Sequence, residues 1–264
     1  MFLAWEHKFA KEPIMPLAIF KTPTFNALVF VVLLSYMSFG ISLWYMVAWQ
    51  QLIRGWSVLQ LTAGWSPFAI TATAAVGLAA WLIPRLAAQW IMAIGISAVL
   101  LSNLLLATMP RLQTYWAQTF PAIVLGSICP DFVYVAAQII ASNSVSRRDQ
   151  GIAGSLIGTL NLYGGSLGLG FAGTIETELS KRSSEASSSS LLPYRAVLYF
   201  GFGLAVASLS LDLISVRVPK DVREGWEADT DGEPVDDHSA AIAIGAASSI
   251  ERGQTVLANR SDPA

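Results

Sequence analysis

Six stretches of this sequence are each apolar for longer than the roughly 20 residues a helix needs to cross a bilayer. They lie near residues 25–48, 60–83, 89–109, 115–141, 151–175 and 194–216, and most charged side chains of the first 220 residues fall between them. No soluble core accommodates such a pattern. Of the 264 residues 54% are hydrophobic and 13% charged, whereas an ordinary soluble domain carries about 25% charged residues. A chain in lipid must satisfy its backbone polar groups internally, and runs of this length do so as helices. The expected fold class is therefore all-α, an integral membrane bundle of six helices in a multi-pass arrangement with the lipid bilayer as its first partner.

The connections carry the charges. Arg54, Arg85, Arg111 and the pair Arg147 and Arg148 mark four short turns, and Trp49, Trp56, Trp81, Trp90 and Trp116 gather near the span ends as an interfacial belt requires. Counting Lys and Arg by side gives Lys8, Lys11, Lys21, Arg85, Arg147, Arg148, Arg217, Lys220 and Arg223 against Arg54, Arg111, Lys181, Arg182 and Arg195. Nine against five places both termini in the cytoplasm.

The domain plan is then a cytoplasmic segment over 1–24, a six-span bundle over 25–217 and a tail over 218–264. A Ser-rich exterior loop over 176–193 interrupts the bundle. Residues 1–220 balance at +5 and residues 221–264 at −7, so a basic membrane body carries an acidic tail that composition predicts to be disordered. Within that tail, Ala240–Ala247 is too short to span. The sequon Asn259-Arg260-Ser261 falls on the cytoplasmic side and is expected to go unused. The N-terminus opens without a basic n-region or a small-residue cleavage site, so no secretory signal peptide is read. The lone Cys129, in an apolar stretch, reads as a small buried hydrophobe and excludes an internal disulfide.

Two sequence patterns in the fifth span invite enzymatic readings and fail on physical grounds. Gly168-Leu169-Gly170-Phe171-Ala172-Gly173 fits a dinucleotide fingerprint, but that motif works between a strand and a helix, not inside an apolar span. Gly164-Gly165-Ser166-Leu167-Gly168 fits a nucleophile elbow, yet the two histidines, His7 and His238, both lie outside the spans. No catalytic residue, metal site, cofactor or nucleic-acid surface is read, and an enzyme is not expected. The glycines have another use. Gly154 and Gly158 are four apart, as are Gly164 and Gly168, with Gly165 beside them, so each pair shares a helix face. Small residues allow close helix packing in lipid, and they also permit the sliding a rocking transporter uses.

Charge inside a span is costly and therefore informative. Asp131 follows Pro130, and Tyr134 and Gln138 recur three and seven residues on, so an acid, a phenol and an amide share one face of the fourth span. Two readings stand: a structural acid bonded to a neighbouring helix, or the lining of a polar pathway. Ser38, Ser42, Tyr45 and Trp49 form a comparable stripe on the first span, although serines often bond back to their own helix. Asn161 and Tyr163 sit midway along the glycine-rich span, where they either meet substrate or join helices. Asp212, near Arg217, reads as a solvated or paired group at a helix end, and Asn103 receives no role.

Two blocks carry a family resemblance. Trp5-Glu6-His7-Lys8, then Pro13-Ile14-Met15-Pro16-Leu17 and Ile19-Phe20, resemble the loop before the C-terminal six helices of the fungal fourteen-span drug:proton antiporters, a branch of the major facilitator superfamily. Ala141-Ser142-Asn143-Ser144-Val145, Gln150-Gly151-Ile152-Ala153-Gly154-Ser155 and Tyr163-Gly164-Gly165-Ser166-Leu167-Gly168 resemble that family's penultimate cytoplasmic loop and the span after it. Within the family the chain is most similar to aminotriazole and boron exporters and low-affinity ammonium transporters.

The resemblance covers about residues 1–217 and implies the C-terminal half of a proton-coupled transporter of drugs or small ions, in the plasma or vacuolar membrane. Its expected partners are a small-molecule or ion substrate and an N-terminal half or a second copy. Residues 1–5 look like the end of a linking helix, so the chain is expected to begin where a full member is midway. The family's glycine-, aspartate- and basic-rich signature is degraded at Pro84, Arg85 and Gln89. In the family fold the first and fourth helices of each half line the cavity, which implies the Ser38 stripe and the Asp131 face. The competing reading is a six-helix membrane protein that does not transport, a truncated relic or an accessory subunit.

Overall fold

The computed structural model describes residues 23–111, 113–145, 149–184 and 191–216, and these form six helices with no strand among them. Helix α1 spans Pro23–Ala48 and widens into a π-helical turn over Trp49–Ile53. Helices α2 (Val58–Leu82) and α3 (Ala88–Ala107) follow. A second π-helical turn, Tyr115–Thr119, leads into α4 (Phe120–Ser144), and α5 (Gln150–Ser184) and α6 (Leu192–Ser215) complete the order.

Local chemistry explains where the helices stop and start. The wide turn after α1 closes through the Arg54 amide donating to the Trp49 carbonyl, and Gly55 at φ +67° then takes a left-handed conformation open to glycine. Ser57 caps α2 with its hydroxyl accepting from the Gln60 amide while Gln60 accepts from the Ser57 amide, a reciprocal capping box. Pro121 and Pro193 occupy the first turns of α4 and α6, where the missing N–H costs nothing.

The apolar run predicts a fifth span ending at 175 and an exterior loop from 176; the helix runs on to Ser184. Its last turns are polar but built of good helix formers, with Arg182 3.5 Å from Glu178 one turn back and Lys181 and Arg182 at the negative end of the helix dipole. The remaining Ser-rich residues 185–190, the N-terminal segment, the acidic tail and the first resemblance block lie outside the described residues. Five of the six helices are long and apolar enough to cross a membrane; α5 falls outside that group.

Helices α1 and α4 form the centre. The first packs on α5, α6, α4 and α3, and the fourth on α3, α2, α1 and α5. Helix α2 is peripheral, with 11% of its span buried, and it docks through Ala75, Ala79 and a 2.6 Å hydroxyl pair between Thr71 and Ser127. Leu59, Ile70 and Val76 project outward from it, as apolar side chains facing lipid do. Outside the spans, the half-buried Arg54 donates to the Gln113 carbonyl and so joins the α1–α2 and α3–α4 connections. Burial draws its pKa down from the free value without discharging the guanidinium.

Helices α1 and α5 run parallel and nearly touch by their backbones. A β-carbon on Gly168 would sit 2.5 Å from the Met37 carbonyl oxygen, one on Gly164 2.9 Å from Tyr36 Cβ, and one on Gly40 2.9 Å from Gly165 Cα. Only small residues allow that approach. Gly165 itself has open space where its β-carbon would be, so its role is to leave room for Gly40.

Candidate functional site

Pro130 has no N–H to offer the carbonyl one turn before it, and its own carbonyl accepts a 3.0 Å hydrogen bond from the Tyr36 hydroxyl on α1. Asp131 follows and is half-buried; Tyr134 is exposed. Gln138 donates to the Gly154 carbonyl at 3.1 Å, and a β-carbon on Gly158 would lie 3.9 Å from the Tyr134 hydroxyl. Positions 138 and 154, then 134 and 158, are thus level on two antiparallel helices. The same register, continued one turn, brings position 131 level with Asn161.

The seam therefore holds an acid, a phenol and an amide, and the side chains of Asp131, Tyr134 and Asn161 make no hydrogen bond among the described residues. Gly154 and Gly158 give the seam its width. Tyr163 is not part of this group. It follows Asn161 by two residues, which turns it about 200° around the helix, and it is exposed.

The α1 stripe is continuous but faces the interior. Ser38 donates to the Gly201 carbonyl on α6 at 2.8 Å and accepts from the Asn103 amide on α3 at 3.0 Å. Ser42 lies 3.4 Å from the Ser102 hydroxyl, which itself donates to the Ala122 carbonyl on α4 at 2.8 Å. Tyr45 donates to Glu176 on α5 at 2.5 Å. These three of its four members are buried and bound across helices, so they cross-link the bundle; the fourth, Trp49, is buried with its indole N–H unpartnered among the described residues. The sequence supplies the stripe but not which neighbours meet it.

The placement of three residues is not legible in the sequence. Tyr36 was an unremarked aromatic. Glu176 falls in the predicted exterior loop but lies in the helix, where its offset of eight from Gly168 puts it near the same face. Asp212, expected to be solvated or paired, is fully buried with both carboxyl oxygens unpartnered among the described residues; Arg217, its expected neighbour, lies outside them.

A bundle of apolar helices joined by buried hydroxyl and amide links, five of them long and apolar enough to cross a bilayer, defines an integral multi-pass membrane protein. No protein-family model matches the chain. Individual relatives do. It is 34% identical over 178 residues to an uncharacterized MFS-type transporter of Schizosaccharomyces pombe, covering 67% of this chain and 34% of that protein. It is 32% identical over 240 residues to the efflux pump terG of Aspergillus terreus, covering 90% and 44%. It is 33% identical over 205 residues to the low affinity ammonium transporter of Saccharomyces cerevisiae, covering 78% and 39%. The chain belongs to the major facilitator superfamily, and the relatives it matches are fungal members of it. It spans between 34% and 44% of the length of these three relatives.

Proposed function

We propose that this chain forms one half of a secondary transporter for small solutes, with the α4–α5 seam contributing to the solute or proton pathway. The observation that carries the reading is Asp131: an acid within a span, half-buried, one turn from Tyr134, level by register with Asn161, and without a side-chain hydrogen bond among the described residues. A structural acid would be expected to have a partner, because an unpaired charge in the membrane is expensive. In a transporter the solute, a proton or water supplies the missing partner.

In this reading α5 spans beside α1, since the two stay in register from Leu33 and Gly164 to Tyr45 and Glu176. Ser38, Ser42 and Tyr45 act as its cross-links, and Tyr163 faces away. The pathway is completed by a second six-helix half, because a single bundle leaves one wall of a midplane pathway against lipid.

A chimera tests this. The matched 205 residues of this chain replace their counterpart in the Saccharomyces cerevisiae low affinity ammonium transporter. Uptake of ammonium or of a panel of drug-like solutes by cells carrying the chimera supports the reading. A chimera that inserts at wild-type level yet moves none of them speaks against it.

A further inference from the structure

The polar groups between α1, α3 and α6 form a file that ends at an acid. From the middle of the bundle it runs through Asn103, Ser38 and the Gly201 carbonyl, then through Ser35 and Ser208, whose hydroxyls lie 2.8 Å apart. One turn further along α6 is Asp212, with no exposed surface and neither carboxyl oxygen bonded.

The hydroxyl and amide donors identified around it bond to other acceptors. Ser35 and Ser208 both donate to the Val31 carbonyl, at 2.7 and 2.9 Å. The Gln89 amide on α3 donates to the backbone carbonyl of Asp212 at 3.3 Å, not to its side chain. No cation faces the group among the described residues. The Asp212 backbone meets Gln89 of α3, and one turn back on α6 Ser208 meets Val31 and Ser35 of α1. Arg85, at the turn before α3, is folded onto the Trp81 ring at 4.0 Å and donates to the Trp81 carbonyl. Lys21 and Arg217 lie outside the described residues. The position adds to the cost of an anion, since Asp212 lies in the last turn of α6, at the negative end of the helix dipole.

Among the described residues an ionised carboxylate here has no donor, no counter-charge and an opposing dipole, whereas a neutral acid lacks only modest hydrogen bonding. We propose that Asp212 is a proton-binding site: its carboxyl carries a proton while the bundle is packed and releases it only when the end of α6 parts from α1 and α3. Proton occupancy is thereby linked to helix packing, because a ligand bound by one conformation alone stabilises that conformation. This site is separate from the Asp131 seam and does not depend on the transport reading.

Infrared spectroscopy of the full chain in lipid nanodiscs, with carboxyl-labelled aspartate, tests the proposal. The expected result at neutral pH is a protonated-aspartate C=O band that carries the label and shifts slowly in heavy water. It should be lost in Asp212→Asn and retained in Asp131→Asn. Absence of such a band from the wild type, or its survival in Asp212→Asn, overturns the assignment. Should Asp212→Asn fail to insert, Asp131→Asn decides alone. A slowly exchanging band that persists there supports Asp212, because the other carboxyls that exchange with solvent shift at once, and loss of the band there overturns it.

Discussion

Tyr45 on α1 donates a 2.5 Å hydrogen bond to Glu176 on α5, a polar tie between two helices that also meet through close glycine contacts. Removing the hydroxyl leaves the carboxylate without that donor. Tyr45→Phe is expected to lower stability by about 1–2 kcal/mol, the range for a hydrogen bond to a charged group tempered by the small values found between membrane helices. Glu176→Gln should cost less. A double-mutant cycle on thermal unfolding in detergent measures the coupling, and additive losses would show that the two side chains act independently.

The glycines of α5 should respond unequally to alanine. A methyl on Gly168 meets the Met37 carbonyl oxygen at 2.5 Å, so one helix must shift, at a cost of about 1–3 kcal/mol. A methyl on Gly165 enters open space, and Gly165→Ala should stay within about 0.5 kcal/mol of the wild type. Melting temperatures of the two variants decide this. Equal effects would contradict the packing described.

That contrast shows what could be read beforehand. Glycines four apart identify a smooth face, but which one touches depends on where Met37 and Gly40 of another helix arrive. The first four helices were legible because apolar runs end at Arg54, Arg85, Arg111, Arg147 and Arg148, where burial would strand a charge. The end of α5 was not, because Glu176, Glu178, Lys181 and Arg182 mark the edge of an apolar run while also being good helix formers. The Asp131–Tyr134–Gln138 face followed from periodicity alone. The inward turn of Ser38, Ser42 and Tyr45, and the burial of Asp212, depend on α3, α5 and α6 closing around them, which spacing within one helix does not encode.

Topology can be checked through the same chain. Cys129 is fully buried, so an impermeant thiol reagent should leave the wild type unlabelled. The charge asymmetry predicts that Ser187→Cys is labelled on intact cells and that Asp237→Cys is labelled only after permeabilisation. The reverse pattern would invert the orientation.

The seam itself is tested by Asp131→Asn in the chimera with the ammonium transporter. Asparagine keeps the shape of the side chain and removes its capacity to exchange a proton. The account predicts normal insertion and at least a tenfold loss of solute uptake, or uptake that no longer varies with external pH, which corresponds to about 1.4 kcal/mol or more at the rate-limiting step. Uptake equal to that of the parent chimera, with an unchanged pH profile, would contradict it and make Asp131 a structural residue.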